Sequence, residues 1–479
     1  MKAGVILAAD IGSSSLKTAF IDLDGNLIAS GRAAYRAEPS AWEGAFARAL
    51  KELCALAPDR GIDGICISGN GPTLAPVTRN GDALPPLYWY DGKTAPPSVE
   101  AGADPPRSLF LPHAAWFKKN APEEYEKLKF FVSSHEWLAH KLGAGIYTVL
   151  PQNSYEPYYW DVEQCRLFGL DMGKFPPFIK MGSVMGHVSA EAASLFGSAV
   201  LKSGTPIIAG GPDFIAALIG TGTRKPGDVC DRAGSSEGIN VCASAPASAP
   251  SGGGDLRVLP HAEEGLWNIA SLIPSSGRLF ERYRTDTAQE GRPYEELFAE
   301  LIPSTEDPGI FFGAGFSPDA GFLAPNEEKN SASASAFASA SAFASASALA
   351  LGRATLCKMG FAVRSALETL AASGFPVREM RVSGGQARNA RWNQLKADIT
   401  GVSIMVPQIA DGELAGNAVL SAAALRSAPD TKQASDKMIC IREVYRPGNG
   451  DFWEERYKEF SKKTKQFTSP CSIYSGPGI

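Results

Sequence analysis

The chain has 479 residues, with 46 basic and 51 acidic side chains and a formal net charge of −5. That length exceeds one ordinary hydrophobic core, so two domains are expected. A mildly acidic chain without a long basic run is poorly suited to a nucleic-acid backbone. Its eight cysteines include no C-x-x-C pair, the pattern of reduced thiols in a cytosolic protein. Asp10 interrupts the apolar N-terminal stretch, and no apolar run approaches the ~20 residues of a membrane span. A soluble, cytoplasmic protein with no nucleic-acid or membrane partner is expected.

In chain order, residues 4–9 (GVILAA) read as a short buried strand. Residues 17–23 alternate, Asp24 and Gly25 supply a hairpin turn, and residues 26–29 return. A helix follows near SAWEGAFARALKELCAL, with Ser40 and Glu43 as a capping box and Phe46, Leu50, Leu53 and Ala57 on one face. GIDGICIS is a second buried strand, and Asn80-Gly81 marks another hairpin. Residues 105–201 read as an insertion whose clear helix is APEEYEKLKFF. The runs TPIIAGGPDFIAALIGTG and GDVCDRAGSSEGINVCAS then give strand, glycine turn, helix and a second strand–Gly-Ser-Ser–strand unit. This repeats ADIGSSSLKTAF at the start, so two related α/β domains facing one cleft are expected. Their boundary falls near residues 223–228: residues 1–225 form the first domain, 226–430 the second, and 431–479 a terminal helix and tail. Residues 331–348 alternate serine and alanine and either extend the next helix or form a solvated loop. Beyond them come a helix marked by Leu356, Gly360, Val363, Leu367 and Leu370, a strand REMRVS ending at Gly384 and Gly385, and a helix near ARWNQLKADITG. The tail frays from about Phe467.

Three places carry chemistry. No P-loop pattern and no G-x-G-x-x-G after a strand occur. Asp10, Gly12, Ser13, Ser14 and Ser15, with Lys17 beyond, stand at a strand end. Glycine and small hydroxyl residues with unpaired N–H groups can cradle phosphate, and an acid before such a loop suits Mg²⁺; an ordinary Asx-type turn is the other reading. Gly234, Ser235 and Ser236 repeat the chemistry in the second half. Asp213 opens the helix FIAALIG and is either an N-cap or a general base for a substrate hydroxyl.

The order of these motifs resembles the FGGY family of carbohydrate kinases. ADIGSSSLK is similar to its first phosphate motif, SGNGPTLAPV with LYWYDGK to its sugar-binding segment, and IIAGGPDFIAALIGTG to its catalytic-aspartate motif. AGSSEG resembles the second phosphate motif, and VSGGQARNARWNQLKADITGV with GELAGNAVLSAA the nucleotide-binding segment. The resemblance spans residues 5–425 and implies two actin-like, ribonuclease H-like ATPase domains with a cleft between them. It implies ATP and Mg²⁺ as cofactors, Asp10 at the metal, and Gly12, Ser13, Ser14 and Lys17 near the phosphates. Asp213 would be the base and a sugar-binding residue. Gly234, Ser235 and Ser236 would cradle phosphate, and Gly384, Gly385 and Asn389 would lie along the nucleotide. Asn70, Trp89 and Asp91 would face the sugar. The chain departs from xylulose kinases at Asn70-Gly71-Pro72, where they carry Gln-Met-His. It also has Lys93 in place of an arginine and Cys357 in place of a glutamate.

The implied activity is phosphorylation of a hydroxyl on a ketopentose or related sugar or polyol. A catalytically weak sugar sensor on the same fold is the alternative. A chaperone-like or filament-forming ATPase lacks support, because the sugar-facing segment is present. A small-molecule sugar is the expected partner, with homodimerisation left open. His135, Glu136 and His140 are spaced H-E-x-x-x-H, one residue too long for a shared metal, and a helix with half-buried histidines is expected there. Lys462, Lys463 and Lys465 read as a solvated helix face, and Trp89 and Tyr90 are either core or site.

Overall fold

The structure, a computed structural model, describes residues 4–35, 39–58, 61–98, 106–196, 200–247, 256–302, 348–448 and 450–467. The chain forms two compact units. One comprises Met1–Arg224, Leu259–Leu266 and Asp411–Cys440; the other comprises Lys225–Val258, Trp267–Ala410 and Ile441–Ile479. The expected division was continuous in sequence, whereas each unit is assembled from three segments. Residues 331–347 of the Ser-Ala repeat lie outside the described residues, as do residues 468–479 and the side chains of Lys463 and Lys465. Lys462 is exposed.

In the first unit the strands are β1 (Val5–Ile11), β2 (Ser15–Asp22), β3 (Leu27–Ala34), β4 (Gly64–Gly69), β5 (Thr73–Thr78), β6 (Leu87–Tyr88), β7 (Leu128–Val132), β8 (Thr148–Leu150), β9 (Phe178–Lys180), β10 (Val184–His187) and β11 (Pro206–Pro212). Six of them make a sheet in the order β10-β11-β4-β1-β2-β3. All seven residues of β1 are buried, as expected of a near-continuous apolar strand in the parallel part of a sheet. The β2–β3 turn forms because the Asp22 carboxylate accepts from the N–H groups of Asp24 and Asn26 (3.0 and 2.8 Å), while Gly25 supplies a φ of +87°.

The helix Pro39–Leu56 buries Trp42, Phe46, Ala49, Leu50 and Leu53. It starts at Pro39, one residue before the expected cap, because a proline is preorganised for the first helical position. The helix expected across APEEYEKLKFF stops at Lys127, and the aromatic run that follows becomes β7, paired with β5. There the buried Leu128, Phe130, Phe131 and Val132 favour a strand over further helix. The helix Ser134–Leu142 opens with a reciprocal capping box between Ser133 and Glu136. Both Glu136 oxygens accept backbone N–H groups, from Ser133 and Val149, at 2.7 Å each. His135 is buried, and burial holds its imidazole down at about 3. His140 is half-buried, with Nδ1 3.1 Å from the Ala144 carbonyl.

The Gly412–Ala424 helix crosses the Asp213–Gly220 helix at glycines. A Cβ on Gly416 would lie 1.9 Å from the Ala216 carbonyl oxygen, and one on Gly220 equally close to that of Gly412.

The second unit holds β12 (Val229–Ala233), β13 (Glu237–Ala243), β14 (Leu256–Pro260, whose last two residues belong to the first unit), β15 (Trp267–Ile273), β16 (Glu379–Ser383), β17 (Ser403–Pro407) and β18 (Ile441–Tyr445). Read from its far edge, its sheet runs β18-β17-β16-β12-β13-β15-β14. The first six positions repeat the first unit's order except at the edge, where β18 follows β17 in the chain while β10 precedes β11. They also repeat its directions: β12, β16 and β17 are parallel, with β13 and β18 antiparallel to their neighbours, as are β1, β4 and β11 with β2 and β10. One apolar core contains Val241, Val363, Leu370, Val382 and Ile404; another gathers Phe280, Tyr283, Phe298, Phe361, Trp392 and Trp453.

Because the glycine crossing admits no side chain, Gly416→Val is expected to cost about 3 kcal/mol or more. A urea unfolding midpoint read on the purified variant checks this.

Candidate active site

In the first unit, β1, β4 and β11 run parallel and end side by side. Asp10 is level with Ser68, and Ser68 with Gly211. Ligands of open α/β sheets bind beyond such carboxyl ends. Ser68 Oγ donates to Asp10 Oδ1 (2.8 Å), and Asn417 Nδ2 donates to Ser68 Oγ (2.9 Å) and to the Ala9 carbonyl (2.8 Å). Lys17, opposite Asp10 across the β1–β2 pair, brings Nζ to 3.6 Å from Asp10 Oδ2, 3.4 Å from Asp411 and 3.5 Å from Glu413. Burial pushes the Asp10 carboxyl up to about 7; Lys17 and the Ser68 hydroxyl oppose the shift, while Glu413 and Asp213 add to it. Asp213 follows directly on β11, so it lies at the same end of the sheet as Asp10.

Asp213 is the first residue of its helix, and the cap position belongs to Pro212. The N-cap reading is therefore set aside, although an acid in the first turn still suits the helix dipole.

Residues 12–15 form the hairpin tip. The Gly12 N–H donates to the Ser15 carbonyl at 3.0 Å, while Ser13 and Ser14 are exposed. Tyr35 secures the tip by donating its hydroxyl to the Gly12 carbonyl and its N–H to that of Ser14, and Arg32 Nε donates to Ser15 Oγ at 2.9 Å. Asn70 is buried and reaches toward Ser13 Oγ (3.4 Å). Trp89 and Tyr90 are exposed, 37% and 45%, so neither is core. Asp91 accepts from the Tyr88 N–H at 3.1 Å and pairs with Lys93, whose ammonium also lies over the Trp116 ring.

In the second unit, residues 234–236 form the tip between β12 and β13, with Gly234 and Ser235 exposed and the Gly234 N–H donating to the Ser236 carbonyl (3.0 Å). Gly384, with φ +98°, ends β16 against β12; a Cβ there would lie 2.6 Å from the Ala233 carbonyl oxygen. Gly385 is exposed. Gln386 Nε2 donates to the Gly234 carbonyl (3.3 Å) and Ser276 Oγ (3.2 Å), while its Oε1 accepts from Trp392 Nε1 (2.8 Å). Asn389 caps the Ala390–Thr400 helix through the Trp392 N–H and donates to Glu295. Its amide is thus committed to protein partners.

Two family profiles match this chain. That of the FGGY family of carbohydrate kinases, N-terminal domain, covers residues 109–220, and that of the C-terminal domain covers 233–425, together more than half of the sequence. The chain belongs to the FGGY family of carbohydrate kinases. It is a sugar kinase. A xylulose kinase of Staphylococcus epidermidis is 24% identical, over 97% of this chain and 98% of that one. An autoinducer-2 kinase of Salmonella choleraesuis is 22% identical, over 99% and 98%. The crystal structure of Plasmodium falciparum glycerol kinase with ADP superposes with a TM-score of 0.72 at 16% identity, over 98% of this chain and 99% of that one. The actin-like ATPase fold of these FGGY kinases is the fold of this chain. Among the described residues, no helix is long and apolar enough to cross a membrane.

Sequence reasoning missed Ser68, Asp411, Glu413 and Asn417. Asn417 left a trace, as an amide in an otherwise apolar helical run, LAGNAVLSAA. The acids did not, since a carboxylate opening a helix is ordinary.

A carboxyl pushed upward in the folded state holds its proton where the unfolded chain has lost it, so it subtracts stability as pH rises from about 4 to about 7. Asp10→Asn removes that loss. The variant's Tm relative to the parent should therefore rise by about 2 °C or more between pH 5 and pH 8, followed by scanning calorimetry.

Proposed function

We propose that this FGGY kinase transfers the γ-phosphoryl group of ATP to a hydroxyl of a ketopentose or related sugar or polyol, with Asp213 as general base. The observation that carries the reading is the placement of Asp10 and Asp213 at the same end of one parallel set of strands, beside the 12–15 tip. The compounds for which the relatives are named, xylulose and autoinducer-2, support a small polyhydroxy carbonyl compound as acceptor class.

The residues fit a divalent cation held together with phosphate. Among the described residues no three His, Cys, Asp or Glu side chains form a self-sufficient metal site. Mg²⁺ beside phosphates needs only one or two carboxylates, with water and phosphate oxygens completing its shell. Asp10 would hold it, fixed in orientation by Ser68 and Asn417. Bound there, Mg²⁺ with ATP supplies the phosphoryl group and neutralises charge developing on it.

The chain's own residues do the rest. Asp213 accepts the proton of the sugar hydroxyl as the oxygen attacks, and its place at a helix start suits a carboxylate. Residues 12–15 and Lys17 orient phosphate oxygens through backbone N–H groups and one ammonium. Gly234, Ser235 and Ser236 do the same in the second unit, with Gly384 and Gly385 leaving room for the nucleotide. Trp89 and Asp91 offer the sugar an apolar face and a hydrogen-bond acceptor, and Asn70 links this segment to the phosphate tip.

A coupled ADP assay over ketoses, aldoses and polyols tests the reading. One sugar should stimulate ADP release, and Asp213→Ala should lower kcat about 10³-fold with sugar binding retained. ADP release independent of sugar and of Asp213 would overturn it, and tight sugar binding without turnover would favour the sensor.

Tyr35→Phe keeps the ring but removes the bond to Gly12. It should raise KM for ATP about threefold with the sugar KM unchanged, read in the same assay.

A further inference from the structure

Behind the 234–236 tip, Lys396 lies fully buried with Asp231 and Glu237. Its ammonium donates to Asp231 Oδ2 at 2.7 Å and to Glu237 Oε1 at 2.6 Å. Asp231 stands on β12, Glu237 on β13 and Lys396 on the Ala390–Thr400 helix. Glu237 is paired with Ala233, the pair that closes the tip, and Asp231 lies two residues before Ala233 on the other strand. The Asp231 carboxyl is pushed up to about 8, by burial first and by Glu237 next. Burial alone would pull the Lys396 ammonium down, but the two carboxylates outweigh it and the net direction is upward.

Three charged groups withdrawn from water are costly, and apolar residues of similar size often serve stability as well or better. Stability therefore gives a weak account of the triad. What it does supply is a cross-link: one cation ties both strands of the hairpin to the helix that follows Gly384, Gly385 and Asn389. Gln386, from the same segment, grips the tip directly at the Gly234 carbonyl. The tip is thus held at its apex and at its base by residues of one stretch of chain.

We propose that Lys396 is a positioning residue of the kinase reaction, fixing the 234–236 tip against residues 384–389 so that both present one preset cradle to the nucleotide phosphates. This rests on the reading of the tip given above. The cross-link acts on ATP and on turnover and leaves the sugar untouched, because alignment of the phosphoryl donor is what it secures.

Lys396→Met alone strands two buried carboxylates and threatens folding. The test therefore uses the triple variant K396M/D231N/E237Q, whose buried groups are neutral, beside the single variant D231N, which leaves Lys396 an acceptor on each strand. Ser235→Asp, an exposed substitution, reports on the tip itself. Steady-state kinetics of the full-length variants, with Tm measured alongside, should show KM for ATP raised about fivefold or more by the triple variant and by Ser235→Asp. The sugar KM should stay within about twofold in both, and D231N should stay within about twofold of the parent throughout. If Ser235→Asp leaves the ATP KM unchanged, the reading of the tip fails and the proposal with it. If Ser235→Asp raises the ATP KM but the folded triple variant does not, the positioning role alone is overturned. An effect of D231N as large as that of the triple variant also overturns it, since charge rather than the cross-link would then be responsible.

Discussion

A carboxylate held away from water at the end of β1 organises the first unit. Asp10 is 2% exposed, a placement that is costly unless something answers its charge. Ser68 and Asn417 hold its orientation, Lys17 supplies a partial counter-charge, and Asp213, Asp411 and Glu413 add negative charge around the same ammonium or carboxylate. The cluster has more acids than cations, and that imbalance is what a bound cation would relieve. The sheet makes the arrangement possible, because three parallel strands ending in register bring their last side chains together.

The two units use one strand plan in two ways. Each opens on an antiparallel hairpin with a Gly-Ser-Ser tip, and each adds parallel strands on the same side of it. In the first unit the charged groups behind the tip are partly open, with Lys17 still reaching water. In the second, the corresponding region is sealed around Lys396. A partly open cluster can take up and release protons and ligands, whereas a sealed one fixes geometry.

Much of this was legible in the letters. The hairpins at Asp24-Gly25 and at 234–236, the strand before Asp213 and the helix from Ala390 all follow from local turn chemistry and apolar runs, which act over a few residues. The misses have physical causes too. The helix read through KFF ignored that β7 had a waiting partner in β5, a contact between residues about fifty positions apart. Ser68 joins Asp10 through the pairing of β1 with β4, while Asp411, Glu413 and Asn417 join the site only because a segment far downstream returns to the first sheet, and no local pattern encodes that return.

That return has a consequence for how the protein is made. A chain emerging from the ribosome has every strand of the first sheet by residue 212, yet it still lacks the helix that crosses Asp213–Gly220 at glycines and carries Asn417. The first unit is begun first and finished late, after two of the three segments of the second have been translated. Until Gly412–Ala424 emerges, Asp10 and Ser68 stand without the cover of that helix, and premature termination before residue 411 would leave both halves incomplete.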